Sequence, residues 1–338
     1  MKKIISLAII IALAIPLAFA GGRKDKSSKV VIYTSMYEDV INSVKEDLKR
    51  QFPRYDIEFV YSGTGRLEHR VAVEREAGRL GCDILMVAEP AFSLELKEKG
   101  MLHSYKSSQA ANLAFEYDPE GCWYPVRINN VVLAYNPEKN SKDSLPNSFY
   151  GFANDARVRD AIAMRNPNVS GTSMAALAAL KDKYGYEYFN SLSRQNIRIS
   201  YGNEGINKLE SGEYKVIMVL EESILQKRQS GSKLEVIYPT DGTIMIPSTI
   251  MIINNKWNAN QNTKAAEEIT DWFLSERGQN AIVDGWMHSV RADFPRIPYD
   301  SLPTSEIRES SIPVHWENNF MQREEILSRF EEHLSNRR

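Results

Sequence analysis

The chain has 338 residues, 42 Lys and Arg against 44 Asp and Glu, a formal charge of −2 and two cysteines. That length suffices for two domains with separate cores, and a near-neutral, slightly acidic balance argues against a nucleic-acid partner. A hydrophobic share of 43%, without low-complexity tracts or tandem repeats, is that of an ordinary folded chain.

Residues 1–20 read as a secretory signal peptide. Lys2 and Lys3 give a basic start, an apolar run over 4–19 is interrupted by Pro16, and Ala18-Phe19-Ala20 is a small-x-small cleavage pattern. An uncleaved membrane anchor is the alternative, but the run is short for a span. Cleavage near Ala20 implies an exported protein, periplasmic or extracellular, whose formal charge becomes −4 because Lys2 and Lys3 are the only charges removed. No cysteine follows Ala20, so a lipid anchor there has no support. Residues 21–28 form a polar, flexible leader. No later stretch approaches the roughly twenty apolar residues needed to cross a bilayer.

From residue 29 the pattern alternates. A β-branched run over 30–33 breaks at Thr34-Ser35-Met36-Tyr37-Glu38, and apolar residues then recur at helical steps over 40–48. A strand over 57–61, the turn Ser62-Gly63-Thr64-Gly65 and a helix over 66–79 repeat the cycle. A third strand over 83–87 ends at Ala88-Glu89-Pro90. Such alternation predicts a parallel sheet with ligands bound outside the carboxyl ends of its strands, where Ser35, Tyr37, Ser62, Gly63, Thr64, Gly65 and Glu89 would lie. Extended segments over 123–127 and 131–137 lead out of this unit. A second unit carries Asn166-Pro167-Asn168-Val169-Ser170-Gly171-Thr172 before a helix over 173–180, helices over 186–192 and 203–210, and a strand over 214–220 ending in Glu221-Glu222-Ser223. A second extended passage spans 244–252. Helices over 264–274 and 275–283 follow, then a proline-containing tail and a charged helix over 322–333, expected on the second unit. A chain that leaves one α/β unit, builds another and returns crosses a hinge twice. Cys82 and Cys122 each begin a predicted strand; a disulfide and two buried thiols are both open readings.

In order and spacing, several pieces resemble the solute-binding proteins of ABC importers, in particular the cluster related to ferric-ion-binding proteins. They are the Val-Ile-Tyr-Thr-Ser start, Ser62-Gly63-Thr64-Gly65, the 81–90 segment, the 96–102 helix end, Asn166-Pro167 with Ser170-Gly171-Thr172, Gly242-Thr243 with Ile246-Pro247-Ser248, Asp271-Trp272-Phe273-Leu274 and the 289–293 segment. The resemblance implies an α/β, two-lobed type II periplasmic binding fold. Each lobe would have a mixed sheet flanked by helices, with two crossover strands as hinges. The expected lobes are 29–127 with 247–300, and 128–246 with 301–338. It also implies capture of a solute and delivery to a permease and its ATPase by a monomer without cofactor.

The departures from the ferric pattern narrow the solute. Ferric-binding members hold iron through two adjacent tyrosines, hard anionic oxygens suited to Fe(III). This chain has no Tyr-Tyr pair, and the matching position holds Glu221-Glu222-Ser223. The first loop has no histidine. The pattern resembles branches that bind sugar phosphates or related organophosphates, with ferric ion as the alternative. Ser170-Gly171-Thr172 and 62–65 either hold an anion at a helix start or simply cap their helices. Ser35 and Tyr37 offer a hydroxyl and a ring, or a cap. Arg127 clamps an anion or forms a structural ion pair. Asn203 opens a helix in the second unit, and Glu221 and Glu222 are expected to accept from sugar hydroxyls. No histidine pairing, Gly-x-Ser-x-Gly elbow or Walker motif is present, so neither a metal site nor an enzyme is expected.

Overall fold

The computed structural model describes residues 29–88, 90–292 and 294–335. The expected signal peptide, the leader and Glu89 lie outside the described residues. In chain order come β1 (Lys29–Thr34), α1 (Glu38–Gln51), β2 (Asp56–Tyr61), α2 (Thr64–Glu76), β3 (Ile84–Ala88), α3 (Ala91–Glu98) and β4 (Trp123–Tyr135). The middle of the chain adds α4 (Phe149–Asn154), β5 (Ile162–Arg165), α5 (Gly171–Tyr184), α6 (Glu187–Arg194), β6 (Arg198–Ser200), α7 (Glu204–Ser211), β7 (Val216–Leu220), α8 (Glu221–Gln229) and β8 (Glu235–Ile237). It closes with β9 (Ile244–Ile252), α9 (Thr263–Leu274), α10 (Glu276–Asp284), α11 (Thr304–Ser310) and α12 (Trp316–Ser335).

The strands join in the order β2-β1-β3-β9-β4-β7-β5-β6, with β8 pairing to β4. β1 is parallel to β2 and β3, and β5 is parallel to β6 and β7. β4 and β9 run antiparallel through the middle and stitch the two mixed halves together. Strand burial explains the sequence patterns. β3 is buried along its whole length and reads as continuous apolar residues. β2, at the edge, buries Ile57 and exposes Asp56.

Each half has its own apolar core. One packs Ile32, Leu48, Ile84 and Phe273 on one face of the sheet, with Leu67, Leu85 and Leu96 on the other. The other packs Phe149, Leu177, Phe189 and Met218, and the alanine-rich α5 is buried nearly all round because it lies inside this core.

The two extended passages on either side of 128–130 are one strand, β4, buried throughout its 13 residues. Its pairing with β9 shifts between Pro125 and Arg127, a bulge that accommodates a proline in a central strand and re-aims the Arg127 side chain. Pro247 on β9 faces Ile128 and has no N–H to give, and the Ile128 carbonyl instead accepts from the His288 N–H at 3.3 Å, while the Ile128 N–H donates to the His288 carbonyl at 3.0 Å.

Two further predicted elements differ from the sequence reading. No loop follows β7, because α8 starts at once, and Glu221 and Glu222 occupy its first turn, where acidic side chains suit the helix dipole. The terminal helix begins at Trp316 and packs on α3 as well as on α5 and α6. Its Arg323 pairs with Glu68 of α2 at 2.9 Å, so it bridges both halves instead of lying on the second alone. Among the described residues no helix is long and apolar enough to cross a membrane.

Candidate ligand-binding site

The carboxyl ends of β1, β3 and β5 converge with the starts of α2 and α5. Ser35 Oγ, just past β1, and Thr64 Oγ1, the first residue of α2, both accept from the Ala88 N–H, at 3.1 and 3.2 Å. Each hydroxyl thereby keeps its own proton for a further acceptor. Arg127 is 3% exposed. It donates from Nη2 to Ser35 Oγ at 3.4 Å and from Nη1 to the Met287 sulfur at 2.9 Å. Arg165, the last residue of β5, donates from Nη1 to the Tyr37 hydroxyl at 3.0 Å. Its Nε–H is buried and has no acceptor among the described residues, an uncommon condition for a native donor.

Ser170 caps α5, its Oγ accepting from the Ser173 N–H at 3.3 Å and standing 3.1 Å from Thr172 Oγ1. The first N–H groups of α2 and α5 lack intrahelical acceptors by the geometry of any helix start and carry its positive dipole end. Ser35, Thr64, Arg127, Arg165, Gly171 and Thr172 line one solvent-open cavity. Tyr37, Tyr61, Gly63, Asn129 and Ser170 also line it, with Ala88, Val169 and Leu220 as its apolar part. Among the described residues everything charged on that wall is positive, which suits an anion.

The two glycine turns touch across this cavity. A methyl group at Gly63 would stand 2.7 Å from the Val169 carbonyl oxygen, and one at Gly65 would stand 2.5 Å from that of Asn168. At Gly171 it would meet Thr64 Cγ2 at 2.9 Å. These contacts are closer than real Cβ atoms make, so glycine is what lets the halves close.

Of the expected site residues, Ser35, Tyr37, Gly63, Thr64, Arg127, Ser170, Gly171 and Thr172 come together in the cavity. Ser62 lies beside it, its N–H donating to Thr34, and Gly65 acts through its cross-cleft contact. Asn203 is exposed at the start of α7, on the rim of an adjoining bay.

Glu221 and Glu222 require correction, because neither lines the cavity; they are 1% and 3% exposed. Glu221 Oε2 accepts from Asn130 and His288, both at 2.9 Å, and Oε1 accepts from Ser301 at 2.5 Å and from Tyr238. Burial opposes its ionisation, but the His288 hydrogen bond and charge, with the Ser301 and Tyr238 hydrogen bonds, hold its pKa below the ordinary glutamate value. All its acceptor capacity is spoken for, leaving none for a solute hydroxyl. Glu222 Oε1 accepts from Asn129 Nδ2 at 2.6 Å, and burial lifts its pKa to about 7 against the pull of the Arg127 charge. A carboxyl raised on folding binds more protons in the native than in the unfolded state, so stability falls as pH rises from about 4.5 to 7. Glu222→Gln should flatten that part of the pH–stability curve, by about 3 kcal/mol at most, in urea titrations at several pH values.

Arg165 was missed by the sequence reading. So was its strand, because 162–165 is too short to show a period. Cys82 and Cys122 are both buried free thiols. Among the described residues no three His, Cys, Asp or Glu side chains gather as a metal set.

A profile of the family described as bacterial extracellular solute-binding protein matches residues 82–308. No curated protein matches the sequence closely enough to count as a relative. Among solved structures, the periplasmic binding protein AfuA from Actinobacillus pleuropneumoniae, with fructose-6-phosphate bound, is similar with a TM-score of 0.78 at 18% identity, over 91% of this chain and 99% of that one. A substrate-binding protein of an ABC transporter from Agrobacterium tumefaciens gives 0.79 at 15% identity, over 93% and 96%. Iron-bound HitA from Pseudomonas aeruginosa gives 0.77 at 18%, over 90% and 99%. Likeness at these identities establishes the type II periplasmic binding protein fold. The chain belongs to the family of bacterial extracellular solute-binding proteins, a non-enzymatic family.

Proposed function

We propose that this protein captures a small anionic organic solute, an organophosphate, in the cleft between two lobes and presents it to the importer's permease and ATPase as a monomer. The lobes of this reading are 29–127 with 247–300 and 128–246 with 301–338, α12 reaching across both. The observation that carries it is the convergence of Arg127, Arg165 and two helix starts on one cavity. A phosphate dianion needs several donors, and guanidinium pairs with backbone N–H groups supply them with matched geometry. The two turns would part to admit the solute and close on it, because each half offers only part of the donors that replace its hydration.

Ferric ion is the second reading, favoured by the proximity of the Tyr37 and Tyr61 rings, 6.4 Å apart between centroids. Two guanidiniums beside these phenols oppose a trivalent cation. Burial also raises the pKa of Tyr37, against the phenolate that Fe(III) requires. Thermal-shift measurements with phosphate monoesters test the proposal. A ligand at a hundred times its dissociation constant adds about 2.7 kcal/mol, a shift of about 4 °C for a chain of this size. Stabilisation by ferric salts with none by phosphates would reverse the order of the two readings.

A further inference from the structure

We infer that the part of the solute beyond its anionic group is an apolar, ring-like body and not a polyol, and that it occupies a bay in the second half of the protein. The inference rests on the anion reading above and specifies what that anion is attached to. The anion cavity adjoins a second, solvent-open one, and Tyr37, Arg165, Thr172 and Leu220 line both. A single small molecule can therefore span the two. The wall of the bay is made by Ala163, Met164, Ala176, Ile206, Ile217 and Met218, supplied by β5, α5, α7 and β7.

Besides Tyr37, Arg165 and Thr172, the polar side chains of the bay are Ser173, Ser200, Asn203 and Ser223, none of them a carboxylate. Ser200 Oγ already donates to the Met164 carbonyl at 3.2 Å, and Asn203 stands exposed at the rim. Among the described residues no aspartate or glutamate lines either cavity. Glu221 and Glu222, which follow Leu220 in sequence, are buried with partners of their own, and Glu204 is exposed at the start of α7. A hexose brings several hydroxyl donors, and each one buried without an acceptor forfeits its hydration. An apolar ring gains from the same wall roughly in proportion to the area it buries. Tyr37 and the Arg165 guanidinium stand at the threshold, the guanidinium carbon 6.0 Å from the ring centroid, so the anionic end stays fixed while the body turns inward.

The test compares three probes on the purified protein by calorimetry: inorganic phosphate, glucose 6-phosphate and phenyl phosphate. Phenyl phosphate should bind at least tenfold more tightly than either of the others. Ala176→Leu, which narrows the bay, should remove that advantage, so that phenyl phosphate binds no more tightly than inorganic phosphate does to the same variant. If that variant does not fold, the ranking of the three probes on the wild-type protein decides. Glucose 6-phosphate binding as tightly as phenyl phosphate would overturn the apolar-body inference while leaving the anion reading in place. Failure of all three probes would overturn both.

Discussion

Arg165→Ala should weaken binding of a phosphate monoester by about a hundredfold while leaving the fold intact. Charged hydrogen bonds are worth about 1.5–3 kcal/mol each, and removing this guanidinium takes at least one such bond and a nearby charge from the site. Its buried Nε–H, without an acceptor among the described residues, is the donor most plainly available to a ligand. Among the described residues only one hydrogen bond depends on the side chain, that to the Tyr37 hydroxyl, so the cost to stability should be under about 1 kcal/mol. Arg165→Lys should recover part of the affinity, because it restores charge without the planar fork. Arg127→Ala is a less clean variant. It would remove the positive charge that favours ionised Glu222, and stability and affinity would fall together. Calorimetry with a parallel urea titration separates the two effects. Unchanged affinity in Arg165→Ala would remove this residue from the site.

The second large effect is expected at Gly65. A methyl group there would lie 2.5 Å from the Asn168 carbonyl oxygen, a backbone atom held in the turn before α5, and it cannot be relieved by rotating a side chain. Gly65→Ala should therefore exclude the closed arrangement without harming either core. If closure contributes the donors of one half, ligand affinity should fall by two orders of magnitude or more, since a binding-competent state populated at 1% costs a factor of about a hundred. Small-angle scattering should show the variant at one expanded size with and without ligand, while the wild-type protein contracts on binding. Contraction of the variant on ligand addition would show that the turns have another way to meet.

How much of this was legible in the sequence depended on whether a signal was local. The first half was readable because β1, β2 and β3 are separated by amphipathic helices and punctuated by Ser, Gly and Pro. The rule that ligands sit past strand ends then led directly to Ser35 and Thr64. Ser170, Gly171 and Thr172 were readable as a helix start for the same reason. Arg165 was not, because β5 has four residues and its side chain matters only through pairing with β7 and β6, contacts far away in sequence. Glu221 and Glu222 misled for a related reason. Two carboxylates after a strand look like a ligand loop. What assigns them elsewhere is a set of partners as distant as Asn130, His288 and Ser301, which no local pattern reveals. The reach of α12 to α3 was hidden in the same way, since a helix face does not name its neighbour.

The most direct test of the central claim, that the cleft holds an anion through Arg127, Arg165 and two helix starts, is calorimetry on matched pairs. Each phosphate monoester is titrated alongside its dephosphorylated alcohol, with ferric citrate as a separate arm. The account predicts binding at one site per chain for phosphorylated members, no measurable binding of the alcohols, and no coloured iron complex. Equal binding of an alcohol and its phosphate, or one tightly held iron per chain, would contradict it.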